Sequence, residues 1–249
     1  MTDFEYALIL KATWYYYMEN YTQQQISQVM GVSRAKVIRL LDEARDRGII
    51  QFIFRQEDTQ RMKIEQELIS KFDLDDAFVV PTSNTPEGRM DSVARAAAMY
   101  LSDRLRPDGF LNVGYGDTMG ILLSYLASTR KTTLNAVSLT GGVGFYNATV
   151  LRNSILSKND LALLKMQGAV GDILDHFFDA NGQPVDSTIE GRIISTGLDQ
   201  LREMKNVVGV AAGPQKVAAI LASLRSKFLN VLVTDEETAA ELLAAEEEM

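Results

Sequence analysis

Between Asn20 and Leu41 the chain carries three cations and no acid, although the formal net charge of its 249 residues is -8. The same window has the spacing of a helix-turn-helix, which fixes what this end of the chain can build. Thr22 followed three residues later by Gln25 reads as a capping box opening a short helix. Gly31 sits where the chain must turn, Ser33 caps a second helix running to about Arg47, and Gly48 ends it. At about 100° per residue, Val37, Leu40, Leu41 and Ala44 share one side of the second helix and meet Ile26, Met30 and Val32 in a common core. The opposite side presents Ala35 and Arg39, flanked by Arg34 and Lys36.

A recognition helix enters the major groove by its N-terminal half, so the residues expected at DNA are Gln23, Ser33, Arg34, Ala35, Lys36 and Arg39. Arg34 or Arg39 suits a bidentate contact to guanine, and Lys36 suits a phosphate. Asp42 and Asp46 face outward further along and confine docking to the first two turns. The plainer alternative is a helical pair packed against something else.

The flanking segments favour the DNA reading. Tyr6, Leu10, Trp14 and Tyr17 recur at helical spacing and are expected to form a supporting first helix, with the aromatic run 14–17 serving packing rather than base stacking. Residues 49–54 read as a strand able to make a wing. Through Arg55 there are seven cations against six acids, whereas the remainder holds 18 cations and 27 acids, a balance of -9. An acidic body repels a polyanion, so DNA contact belongs to the N-terminal module. That module is near neutral, which argues for binding as a homo-oligomer, a dimer or a tetramer.

The rest of the chain reads as a second domain. Polar residues 56–60 look like a linker, giving expected boundaries of 1–58 and 59–249. Met62, Ile64, Leu68, Ile69 and Phe72 mark an amphipathic helix. Thereafter apolar runs at 77–80, 110–113, 136–139, 207–210 and 230–233 alternate with helical stretches at 87–105, 118–128, 214–225 and 235–245, the pattern of an α/β layered fold with a parallel sheet. Cysteine is absent, and neither a signal sequence nor an apolar run near ~20 residues is present, so a cytoplasmic protein with no membrane contact is expected.

Two of the strands end in glycine turns, 113–118 and 139–144. Glycine at the carboxyl end of a parallel strand lets backbone N–H groups approach an anion, and a helix starting after Asp117 adds its positive end. A phosphate or sugar phosphate is the natural guest, although such loops also serve ordinary tight packing. Further on, Asp172 is placed to accept hydrogen bonds from sugar hydroxyls and Lys216 to neutralise a phosphate; the plainer readings are a helix cap and a solvated lysine. Gly114, Gly116 and Gly120 miss the dinucleotide fingerprint, and no Walker A sequence exists. His176, the one histidine, reads as a packing residue, and no activated nucleophile is visible. No enzyme activity, cofactor or metal is expected.

At this point the segments TQQQISQVMGVSRAKVIRLLDEARDRGII, VGYGDTM, SLTGGVG, GAVGDILDHFFDANGQPV and LVTDEETAAELL, in order along nearly the whole chain, resemble the SorC family of sugar-binding transcriptional regulators. The resemblance implies a winged helix-turn-helix joined to a Rossmann-like effector domain similar in fold to sugar-phosphate isomerases and deaminases. It implies oligomers whose affinity for operator DNA changes when a phosphorylated sugar binds, and hence a repressor of a carbohydrate-uptake or catabolism operon. By motif, Gly116, Asp117 and Thr118 would face the phosphate, with Tyr115 lining the pocket. Gly141 and Gly142 would form a second turn, Asp172 would read hydroxyls with Leu174 beside it, and Lys216 would supply the cation. Against the family pattern, roughly 60 residues, about two βα units at ~30 each, are missing after about residue 156. The effector domain is therefore expected to be incomplete. The alternative reading, a sugar-phosphate isomerase or deaminase-like enzyme with an accessory DNA-binding module, rests on Asp117, Asp172 and Asp175 as acid/base groups.

Overall fold

The computed structural model describes residues 2–53, 55–106, 109–129, 135–139, 158–185 and 195–247. The chain divides into two compact units, Met1–Gln56 and Glu57–Met249.

The first unit contains α1 (Asp3–Tyr17), α2 (Gln23–Met30) and α3 (Arg34–Asp46). Thr22 and Gln25 exchange hydrogen bonds as a capping box at the start of α2, and Ser33 Oγ accepts from the Lys36 amide at 3.2 Å to cap α3. Each cap contributes about 1 kcal/mol. Gly31 ends α2 at φ 63°, a left-handed conformation glycine adopts without steric cost. Ile9 and Ala12 of α1, Ile26 of α2, and Val37, Leu40, Leu41 and Ala44 of α3 are buried together, with Met30 and Val32 packed alongside.

In this unit one expectation holds in part and another fails: α1 is the supporting helix, and Tyr15, Tyr16 and Tyr17 pack against the core. Tyr6, Leu10 and Trp14 point away from the core; α1 packs through Ile9, Ala12 and Thr13 instead. Because α1 is apolar nearly all round, spacing alone does not identify its inner face. The strand expected over 49–54 is not formed at 49–53. Gly48, at φ 66°, folds the chain back so that the Ile49 and Ile50 amides bond the Ala44 carbonyl, and Phe52 packs edge-on against Tyr17.

The second unit begins within α4 (Gln56–Phe72), so residues 56–60, expected as a linker, are helical where the two units divide. Asp58 stands in the first turn of that helix, where an acid favours helix formation. There follow β1 (Asp76–Val80), α5 (Pro86–Ser102), β2 (Phe110–Val113), α6 (Asp117–Thr129), β3 (Asn135–Ser138) and α7 (Lys158–Met166). The chain continues with β4 (Gly171–Ile173), β5 (His176–Phe178), α8 (Leu198–Glu203), β6 (Val208–Val210), a 3-10 turn (Pro214–Lys216), α9 (Val217–Arg225), β7 (Val231–Asp235) and α10 (Glu236–Glu247).

One sheet has the order β1-β7-β6, all parallel, and β2 pairs in parallel with β3. Alternation along β7 divides the core in two: Leu232 faces Leu68, Phe72, Ile220, Leu224 and Leu242, while Val233 faces Val93, Ala97, Leu122 and Leu126. Helices therefore cover both faces of the sheet. Arg89 of α5 pairs with the buried Asp235 at 3.1 Å and ties α5 to the end of β7. Glu65 of α4 is also buried and accepts the Val79 amide at 2.7 Å, occupying the edge of β1 opposite β7. Burial raises its pKa above the ordinary carboxylate value. Among the described residues, no helix is long and apolar enough to cross a membrane.

Candidate DNA interface and effector site

The N-terminal half of α3 is an exposed cationic surface. Ser33, Arg34, Ala35, Lys36 and Arg39 are all solvent-exposed, and among the described residues no carboxylate pairs with Arg34, Lys36 or Arg39. The C-terminal half differs: Arg45 pairs with Asp42, and Arg47 with Glu43 at 3.2 Å. Charge available to phosphate is thus concentrated where a recognition helix meets the groove. Arg34 Nε donates to Gln23 Oε1 at 3.3 Å, so the N-terminal ends of α2 and α3 are joined. Next to them lies an open cleft of about 620 Å³ lined by Tyr16, Tyr21, Gln23 and Arg34.

The candidate effector site is built where β2 meets α6. After Val113 the chain passes through Gly114, Tyr115 and Gly116 into α6, with Gly116 at φ 117°. A side chain at Gly114 would come within 3.3 Å of Leu174 Cδ2, so this glycine admits the turn between β4 and β5. That turn has positive φ at both central residues, Leu174 (55°) and Asp175 (71°), as a two-residue hairpin of type I′ needs. For leucine this backbone is uncommon and strained. Ser195 holds it by donating from Oγ to the Leu174 carbonyl at 2.8 Å. With its one proton so placed, Ser195 accepts from His176 Nε2, also at 2.8 Å, and is not an activated nucleophile.

The turn brings two carboxylates to one phenol. Tyr115 donates to Asp175 at 2.7 Å and lies 3.3 Å from Asp172. Burial and then the charge of Asp172 hold the Tyr115 hydroxyl protonated far above its ordinary range. Asp172 is raised above the usual carboxylate value, first by desolvation and then by the like charge of Asp175, against the pull of Tyr115 and Lys216. Lys216 precedes α9, and β4 reaches that helix closely because residue 171 is glycine: a Cβ there would lie 2.5 Å from Ala219 Cβ.

Of the residues expected from sequence, Tyr115, Asp172 and Leu174 are therefore brought together, Lys216 acts on Asp172 through its charge, and Gly116, Asp117 and Thr118 continue the same loop into α6. Gly141 and Gly142 lie outside the described residues. Asp175 is the addition to the expected effector set. Its signal was the strand-turn-strand pattern of 171–178, hidden because Leu-Asp is not a usual turn pair.

The sequence profile of the Sugar-bind family, described as "Putative sugar-binding domain", matches residues 56–150 and 142–244. The transcriptional regulator LsrR of Klebsiella pneumoniae is 29% identical over 303 residues, spanning 96% of this chain and 94% of that protein. An alignment of that length cannot be filled by 249 residues, so LsrR carries more than fifty residues without a counterpart here. The two profile segments meet at 142–150, slightly ahead of the position near 156 expected for the gap and soon after β3, whose four residues are all exposed. Among solved structures, the full-length sorbitol operon regulator SorC from Klebsiella pneumoniae has 22% identity and a TM-score of 0.64, covering 98% of this chain and 99% of that one. A sugar-binding domain of a transcriptional repressor from Vibrio fischeri has 20% identity and a TM-score of 0.67, covering 75% and 99%. The match across 56–244, following an N-terminal unit folded as a helix-turn-helix, makes the chain a member of the SorC-type family of sugar-binding transcriptional regulators.

Proposed function

We propose that the protein represses a carbohydrate-uptake or catabolism operon from the cytoplasm, binding operator DNA as a homo-oligomer and releasing or tightening it when a phosphorylated sugar binds. The observation that carries this reading is the combination of an exposed cationic N-terminal half of α3, without carboxylate partners among the described residues, with a family-matched sugar-binding unit. A Rossmann-like effector fold is supported by the parallel sheet covered by helices on both faces.

In this reading the phosphate sits at the N-terminal end of α6, against Gly116, Asp117 and Thr118, with Lys216 as counter-charge. Asp117 is itself an acid in that first turn, so Lys216 has to offset it as well as the phosphate. Asp172, with Leu174 beside it, reads sugar hydroxyls, and Tyr115 lines the site.

The test is a gel shift of the full chain on its own upstream DNA, repeated with a panel of phosphorylated sugars. One of them should change DNA affinity, and at 100 times its Kd it should add ~2.7 kcal/mol to stability. Lys216→Ala should abolish that response while leaving DNA affinity without sugar unchanged. Equal binding to random duplex overturns the regulator reading; a normal response in Lys216→Ala overturns the site assignment. The enzyme alternative requires turnover of a sugar phosphate that disappears in Asp172→Asn.

A further inference from the structure

The turn that joins β4 to β5 carries an aspartate where a smaller residue costs less. A two-residue turn of this kind favours glycine at its second central position, because φ is positive there, yet Asp175 occupies it at φ 71° beside Leu174 at 55°. Strain kept at a ligand site calls for a use of the side chain that bears it. The hydrogen bonds supply one. Tyr115 has a single proton, committed to Asp175 Oδ1 at 2.7 Å, and the 3.3 Å to Asp172 Oδ2 is too long for a second strong O–H···O bond. Leu174 adds only apolar surface, against Gly114. The side chains of Tyr115, Asp172 and Asp175 therefore offer a guest acceptors and no donor. Tyr115 is 49% exposed and Asp172 is exposed, so a guest can reach them.

We propose that Asp175 sets the chemical class of the effector. By taking the Tyr115 proton it leaves an acceptor-only wall. That wall admits a sugar phosphate whose end away from the phosphate carries hydroxyl donors, such as an alditol phosphate or the ring form of a sugar, and turns away an aldonate phosphate, which ends in a carboxylate. Asp175 acts through Tyr115 and is a positioning residue, and the inference rests on the effector site proposed above. Each hydroxyl brings one proton to one acceptor, whereas a carboxylate meets two like charges and lone pairs with no proton between them. Lys216 does not relieve that repulsion, because in this reading the phosphate takes its charge. A guest without the donors leaves the acceptors unpaired, which is how a polar site rejects a close analogue.

The test is titration calorimetry on the full chain with matched pairs, the alditol phosphate and the aldonate phosphate of each common pentose and hexose. In any pair that binds, the alditol phosphate is expected to bind about tenfold or more tightly, the worth of one hydrogen bond to a charged group. Asp175→Asn keeps the size of the side chain and a residue that tolerates positive φ, removes one negative charge and adds N–H donors. It should narrow the ratio about tenfold, chiefly by binding the aldonate phosphate better, a change of preference that a merely structural role at 175 would not produce. Asp175→Gly accepts this φ without cost, should narrow the ratio too, and carries the comparison if the asparagine variant is unstable. Equal affinity within every pair, a wild-type preference for the aldonate phosphate, or an unchanged ratio in both variants overturns the proposal and leaves the sugar-phosphate reading standing. If no member of any pair binds, that reading fails, and this inference with it.

Discussion

Tyr115 and Asp175, sixty residues apart in sequence, are joined by a hydrogen bond of 2.7 Å, and the same hydroxyl lies 3.3 Å from Asp172. One phenol thus serves an acid on β4 and an acid in the turn that follows it. The hydroxyl stabilises the charged form of Asp172, so Tyr115→Phe is expected to raise the Asp172 pKa further. Carboxyl carbon titration by NMR measures this, and an unchanged or lowered value refutes the coupling.

Gly171→Ala tests how the hairpin is placed. Its methyl would meet Ala219 at 2.5 Å, so β4 has to move from α9, at a cost of about 1–3 kcal/mol. Asp172 and Lys216 separate with it. Calorimetry should show weaker binding of the responsive sugar phosphate, with DNA affinity in its absence unchanged.

On α3, two kinds of contact are separable. Arg34→Ala or Arg39→Ala should lower operator affinity by about 1–3 kcal/mol and relax the choice of base at one position. Lys36→Ala should weaken all sequences alike and reduce the salt slope by about 1. Binding measured across a salt series on specific and random duplex distinguishes them; identical behaviour of all three variants would show that no base is read by these arginines.

The buried Glu65 predicts a pH dependence. Its folded pKa is raised above the ordinary 4.5, so the folded state holds the proton more tightly than the unfolded chain. Its contribution to stability is fully present below about the unfolded value and is lost as pH rises through the folded pKa. Glu65→Gln keeps an acceptor for the Val79 amide and removes the titration. Urea midpoints followed upward from pH 4 should fall for the wild type relative to this variant; parallel curves would mean that burial does not shift Glu65.

Much of this architecture is legible in the residues. Thr22, Gly31 and Ser33 mark helix ends by local chemistry, and Leu232 and Val233 belong to an apolar run that only a covered strand tolerates. What escapes is decided by neighbours distant in sequence. Tyr6, Leu10 and Trp14 have helical spacing, but α2 and α3 choose which face of an apolar helix is inner. Residues 49–53 have strand composition without a pairing partner among the described residues, so the Gly48 turn prevails. Asp175 enters the site only because Ser195, Gly114 and α9 together hold a leucine-aspartate turn in a backbone those residues rarely adopt.

The place of β7 between β1 and β6 has a consequence for synthesis of the protein. Among the described residues, β1 and β6 are joined to the sheet through β7, a strand that follows both of them. Until residues 231–235 leave the ribosome, neither has its partner, whereas α1 to α3 find theirs within a short local stretch. The DNA-binding unit therefore folds first, and a nascent chain already has its recognition helix in place while its sugar-binding unit still lacks the β1-β7-β6 sheet.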